Sequence, residues 1–120
     1  MQTLTDLNRH QPYHDEHLYV DLRHELVILD RQILTLSRKE YGLLALMVQN
    51  VGKLVPRAAL LMQVWGYVPT TRTRPVDMAI DQLRKKLGPY ADQYIETVVG
   101  VGYRFRPIPW MPFNQSSVGL

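Results

Sequence analysis

The segment RPVDMAIDQLRKKLGP constrains the fold more than any other part of the chain. Pro75 stands at its start, where a missing amide proton costs a helix nothing. Gly88 and Pro89 stand at its end, where one takes a cap conformation and the other blocks continuation. Between them Val76, Ile80, Leu83 and Leu87 recur at i, i+4, i+7 and i+11, a single apolar stripe. The spacing predicts a helix over 75–87 with one buried face. Asp77, Asp81, Gln82, Lys85 and Lys86 lie on the other face, and Asp81 and Lys85 are spaced for an i,i+4 ion pair.

Two further helices precede it. Ser37 and Glu40 have the spacing of a capping box, and Leu36 and Tyr41 that of a hydrophobic staple. Tyr41, Leu44, Ala45 and Val48 then repeat at helical intervals. A second helix is predicted from Pro56 through Leu60, Leu61 and Val64 to Trp65, ending at Gly66. Residues 67–74, YVPTTRTR, read as a loop.

The remainder is β-rich. LYVDL, ELVILD and QILTL are short runs of branched and aromatic residues, broken at Arg23-His24 and Asp30-Arg31, and they predict an antiparallel meander. YIETVV and YRF, joined through Gly100-Val101-Gly102, predict a hairpin over 94–105. Residues 1–16 read as a flexible segment or linker, 17–106 as the folded domain, and 107–120 as a tail that either folds back on the body through Trp110 or Phe113 or frays. His10, His14 and His17 share helical spacing, but no supporting ligand set accompanies them, and they read as scattered histidines rather than a metal site.

Charge narrows the function. The net charge is +3; residues 1–60 sum to zero, and the surplus lies between Arg72 and Arg106. A local basic excess suits a polyanion surface. With no cysteine there is no thiol nucleophile or thiolate metal site, which fits a cytoplasmic setting. The longest apolar run, Leu43 to Val48, is too short to span a bilayer, so no membrane partner is expected. The chain carries no phosphate-cradling P-loop, no H-E-x-x-H and no G-x-S-x-G; its GVG lies inside a hairpin rather than between strand and helix. No enzymatic activity and no cofactor are expected.

The element order is strands, helix, short strand, helix, loop, helix, hairpin. Two short helices followed by a hairpin is the pattern of a winged helix-turn-helix, in which a helix about 12 Å wide enters a major groove of similar width. The stretches LTLSRKEYGLLALMVQNVGKLVPRAALLMQVWG, RPVDMAIDQLRKKLG and YIETVVGVGYRF also resemble, in order and spacing, the C-terminal effector domain of OmpR/PhoB-type bacterial response regulators.

The resemblance implies an α+β fold: an N-terminal antiparallel sheet, a three-helix core and a C-terminal β-hairpin wing. It implies sequence-specific binding of double-stranded DNA as the output of a two-component phosphorelay, with helix 75–87 in the major groove and wing 94–105 near the minor groove. Direct-repeat sites, head-to-tail pairing on DNA and contact with RNA polymerase through Tyr67, Val68, Pro69, Thr70 and Thr71 follow from the same likeness. Trp65, Arg74, Arg84, Thr97 and Tyr103 match phosphate-contacting positions, and Asp77, Asp81 and Gln82 match positions near bases. Arg72, Lys85, Lys86 and Arg104 are additional candidates for DNA contact. The sequence departs from the family at Ala79, where histidine is frequent, at Asp81-Gln82, where basic residues are frequent, and at Val99, which replaces a wing arginine. Each change removes a donor or a positive charge.

Structural roles compete with these. Trp65 and Tyr103 also suit core packing, Arg84, Lys85 and Lys86 also complement a helix C-terminus, and Asp77 also suits a first helical turn. The three departures leave a second reading open: a winged helix that docks a protein.

Overall fold

The computed structural model describes residues 11–66 and 72–110. Four short antiparallel strands come first: β1 (Tyr13–His14), β2 (Leu18–Asp21), β3 (Leu26–Leu29) and β4 (Gln32–Ile33), in that spatial order. Asp30 and Arg31 both have positive φ, 48° and 70°, so β3 and β4 are joined by the two-residue turn expected there. The Arg23-His24 break is a longer reversal, because Asp21 pairs with Leu26 and its carboxylate accepts from the amides of Arg23 and His24.

α1 (Arg38–Val48) begins at the predicted capping box: Ser37 Oγ accepts from the Glu40 amide, and Glu40 Oε1 accepts from the Ser37 amide. β5 (Leu54–Pro56) leads into α2 (Arg57–Leu60), which continues as a π-helical turn over Leu61–Trp65. Pro56 therefore ends a strand rather than opening the helix; its extended backbone places it just before the first turn. α3 (Arg74–Leu87) starts one residue earlier than expected, with Pro75 in its first turn. A 3-10 turn (Gly88–Tyr90) and a short α4 (Ala91–Tyr94) connect it to β6 (Ile95–Val98) and β7 (Gly102–Phe105). The second sheet runs β5-β7-β6, so the wing hairpin is pinned to the start of α2.

The core lies between these layers. All four residues of the α3 stripe, Val76, Ile80, Leu83 and Leu87, are fully buried against Leu43, Leu44 and Met47 of α1 and the inward side chains of both sheets. Each such side chain contributes about 1.5–3 kcal/mol of apolar burial. Tyr94 and Phe105 stack at 5.5 Å, and Tyr13 meets Phe105 edge-on at 5.3 Å. The two glycines of the wing differ in role. Gly100 takes positive φ in the turn, whereas Gly102 lies in β7, where an added Cβ would come within 2.1 Å of the Val55 carbonyl oxygen.

Both ends of the domain extend beyond the expected 17–106. Tyr13 and His14 pair with Val20 and Tyr19, so the sheet begins inside the segment read as a linker. Asp15 explains why: its carboxylate accepts from the amides of His17, Leu18 and Ile108 and from the hydroxyls of Tyr13 and Tyr94. At the other end Ile108 is buried, and Trp110 covers Gly52, as the fold-back reading anticipates. His10, Phe113 and the loop residues Tyr67 to Thr71 lie outside the described residues.

Candidate nucleic-acid interface

Burying the Val76–Leu87 stripe fixes what α3 turns outward. Arg74, Met78, Asp81, Gln82 and Lys85 are all exposed, in a row at i, i+4, i+7, i+8 and i+11. The row runs the length of α3, and the wing is bonded to the same helix. Met78 is absent from the sequence-based candidates although its spacing from Arg74 and Gln82 puts it at the centre of this row; it is 56% exposed.

The wing is bonded to α3 through Arg84. Its Nη2 donates to the Ile95 carbonyl at 2.8 Å and to Thr97 Oγ1 at 2.7 Å. Thr97 is exposed and accepts in that bond, which leaves its hydroxyl proton for another acceptor. Arg84 and Thr97 thus form one unit across two elements.

Tyr103 and Asp77 form a second unit. The guanidinium groups of Arg57 and Arg84 both lie over the Tyr103 ring, 5.0 Å and 5.7 Å from its centroid. Its hydroxyl donates to Asp77 Oδ1 at 2.5 Å, and Arg57 Nε donates to the same oxygen at 2.8 Å. Burial, reinforced by the Asp77 carboxylate, pushes the Tyr103 hydroxyl up to about 12. Tyr103 is buried, and its hydroxyl is committed inside the fold. Asp77 Oδ1 is likewise occupied, so the carboxylate joins α3 to α2 and the wing. Arg57 gives no local signal in the sequence, being 20 residues from Asp77.

The basic candidates divide. Arg72, Arg74 and Lys85 are exposed, and none has an ion-pair partner among the described residues. Lys86 turns the other way: its Nζ donates to Glu40 Oε1 at 2.8 Å and to the Thr35 carbonyl at 3.0 Å, tying the end of α3 to the start of α1. Burial pushes the Glu40 carboxyl up, but Lys86 and the Ser37 amide outweigh it and hold it below its usual value. Arg104 lies 3.3 Å from Glu96, its cross-strand partner in the wing. The expected Asp81–Lys85 ion pair is not formed; both side chains point to solvent. Trp65 is half-buried at the end of the π-helical turn, with the Lys39 ammonium 5.3 Å from its ring. Val99 stands at the tip of the wing, 88% exposed.

The outward face is therefore net basic. Among the described residues, Arg74 and Lys85 of the row, with the exposed Arg72 just before α3, outnumber Asp81, since Asp77 is paired by Arg57 and Lys86 by Glu40. Among the described residues no group of three or more His, Cys, Asp or Glu is arranged to hold a metal, and no helix is long and apolar enough to cross a membrane.

Comparison with known proteins agrees with this architecture. A family model described as "Transcriptional regulatory protein, C terminal" matches residues 30–105. The chain is 44% identical over 81 residues to the response regulator ArlR of Staphylococcus saprophyticus, covering 67% of this chain and 37% of that protein. It thus spans about a third of the length of the curated relatives it matches. Among solved structures, the DNA-binding domain of Klebsiella pneumoniae RstA, in complex with the RstA box, superposes with a TM-score of 0.71 at 32% identity, covering 80% of this chain and 97% of that one. DrrB of Thermotoga maritima, an OmpR/PhoB homologue, gives a TM-score of 0.72 at 32% identity over 82% of this chain and 46% of that one.

Proposed function

Since the chain belongs to the C-terminal effector domains of OmpR/PhoB-type transcriptional regulators, we propose that it binds a specific sequence of double-stranded DNA and regulates transcription. The observation that carries this reading is the outward row of α3, Arg74 to Lys85, set beside a hairpin that Arg84 bonds to the same helix. Arginine and lysine anchor phosphates, and groups at the centre of the row read base edges. Gln82 is shaped to donate to N7 and accept from N6 of adenine.

The roles follow from what each side chain is free to do. Arg74, Arg72 and Lys85 supply phosphate contacts, Arg84 and Thr97 supply one more from the helix–wing junction, and Trp65 adds its indole N–H. Tyr103 and Asp77 set the angle of helix against wing rather than touching DNA. Lys86 and Arg104 contribute less than their charge suggests, because Glu40 and Glu96 face them. The protein performs no chemistry in this reading. It acts in the bacterial cytoplasm as a two-component output domain, pairs head-to-tail on direct repeats, and engages RNA polymerase through residues 67–71.

Fluorescence anisotropy against a random duplex pool at several salt concentrations, followed by selection of the bound fraction, tests the core of this. The expected result is micromolar or tighter binding, a steep salt slope and an enriched repeated motif. Absence of binding at about 50 mM salt, where phosphate contacts are strongest, would refute it. The rival reading, docking of a protein, draws on the exposed Val99 and the unpaired Asp81; the net basic face favours DNA.

A further inference from the structure

We infer that Met78 is a specificity-determining residue that reads the methyl group of a thymine in the major groove. The inference rests on the DNA-binding reading above and adds to it an apolar recognition point. Met78 is the only large apolar side chain on the outward row of α3, and it is 56% exposed. Arg74 lies one turn before it and Gln82 one turn after. Every other apolar residue at the helical positions Val76, Ile80, Leu83 and Leu87 is fully buried, so Met78 is not a stray member of the core stripe.

An exposed methionine in this place has a defined chemistry. It neither donates strongly nor carries charge, so it cannot anchor a phosphate. Its unbranched thioether adapts to an irregular apolar surface. The major groove offers one apolar feature, the C5-methyl of thymine. Register adds a constraint. Met78 and Gln82 are four residues apart, about 6 Å along the helix axis at about 1.5 Å per residue. Base pairs rise by about 3.4 Å, so for a helix lying along the groove the thymine read by Met78 falls about two base pairs from the base read by Gln82.

The test uses the protein as it stands and the duplex selected from the random pool. Each thymine of that duplex is replaced in turn by deoxyuridine, which lacks only the methyl group. One replacement is expected to weaken the wild-type protein about three- to tenfold, and to weaken Met78→Ala less than twofold. Met78→Leu, which keeps apolar bulk, should retain most of the methyl dependence. The sensitive thymine should lie about two base pairs from the position whose preference Gln82→Ala relaxes. A thermal melt of each variant reports folding; Met78 is exposed, so its variants should melt with the wild type. If every deoxyuridine duplex binds wild type within twofold of the parent, or if Met78→Ala keeps the full penalty, the inference is wrong while DNA binding stands. A pool that yields no enriched sequence overturns the DNA reading itself, and this inference with it.

Discussion

Among the described residues Asp15 accepts more hydrogen bonds than any other side chain, and replacing it with alanine provides a sharp test. Five donors converge on its carboxylate: the amides of His17 at 2.9 Å, Leu18 at 3.0 Å and Ile108 at 3.2 Å, the Tyr94 hydroxyl at 2.7 Å, and the Tyr13 hydroxyl. Tyr94 is fully buried, so Asp15→Ala leaves its hydroxyl without an acceptor, at about 1–3 kcal/mol. The other four bonds each contribute about 0.5–1 kcal/mol where water reaches the freed donors and replaces part of them. The sum is about 3–7 kcal/mol, a large share of the about 5–15 kcal/mol that holds a domain together. For a domain near 100 residues that lowers Tm by about 15–35 °C. Urea titration followed by circular dichroism measures it, with the midpoint expected to fall and the slope to stay constant. In a Tyr94→Phe background, Asp15→Ala should cost about 1–2 kcal/mol less, because the orphaned hydroxyl is gone. A loss below about 1 kcal/mol in the wild-type background would refute the idea that this carboxylate joins the two ends of the domain.

The same group makes an acid prediction. Burial would raise the Asp15 carboxyl, but the two tyrosine hydroxyls and the His17 and Leu18 amides outweigh it and hold it below its ordinary value. As pH falls below about 4 the unfolded chain takes up this proton first, so stability drops from there toward the lower folded value. Asp15→Asn should flatten that part of the acid-unfolding curve, and an unchanged curve would contradict the assignment.

Lys86→Ala should destabilise the domain by about 1–2 kcal/mol by leaving Glu40 without its ion-pair partner, yet leave the salt slope of DNA binding unchanged; a slope reduced by about one would return Lys86 to the interface. Arg84→Ala should weaken binding to all sequences and lower the slope by about one, and amide exchange at Thr97 should speed up as the wing loses its bond to α3; unchanged affinity and exchange would remove Arg84 from both roles. Tyr103 supplies an alkaline test. Its hydroxyl, pushed up to about 12, stays protonated in the fold after the unfolded chain has lost that proton near pH 10. Stability from this group is therefore present below about pH 10 and is lost as pH rises toward 12, and Tyr103→Phe should lessen that loss.

How much was legible in the sequence depended on how local the signal was. The capping box at Ser37 and Glu40, the α3 stripe and the Asp30-Arg31 turn are written within a few residues, and each stands where periodicity and turn chemistry put it. Those signals, in one order, determined the winged-helix architecture and the face of α3 that is free. What they could not determine is which polar groups spend themselves inside the fold. Asp15 meets Tyr94 and Ile108 across 79 and 93 residues, Lys86 meets Glu40 across 46, and Arg57 meets Asp77 across 20. A charged side chain on a predicted outer face looks available for DNA until a distant carboxylate is folded against it. The sequence therefore set the elements and the basic stretch from Arg72 to Arg106, because local propensity and charge are properties of the chain itself. Only the tertiary structure decided that Lys86, Asp77 and Tyr103 are bonded to partners on other elements while Arg74, Met78, Gln82 and Lys85 remain outward, because the partners that neutralise or orient them are brought together by packing alone.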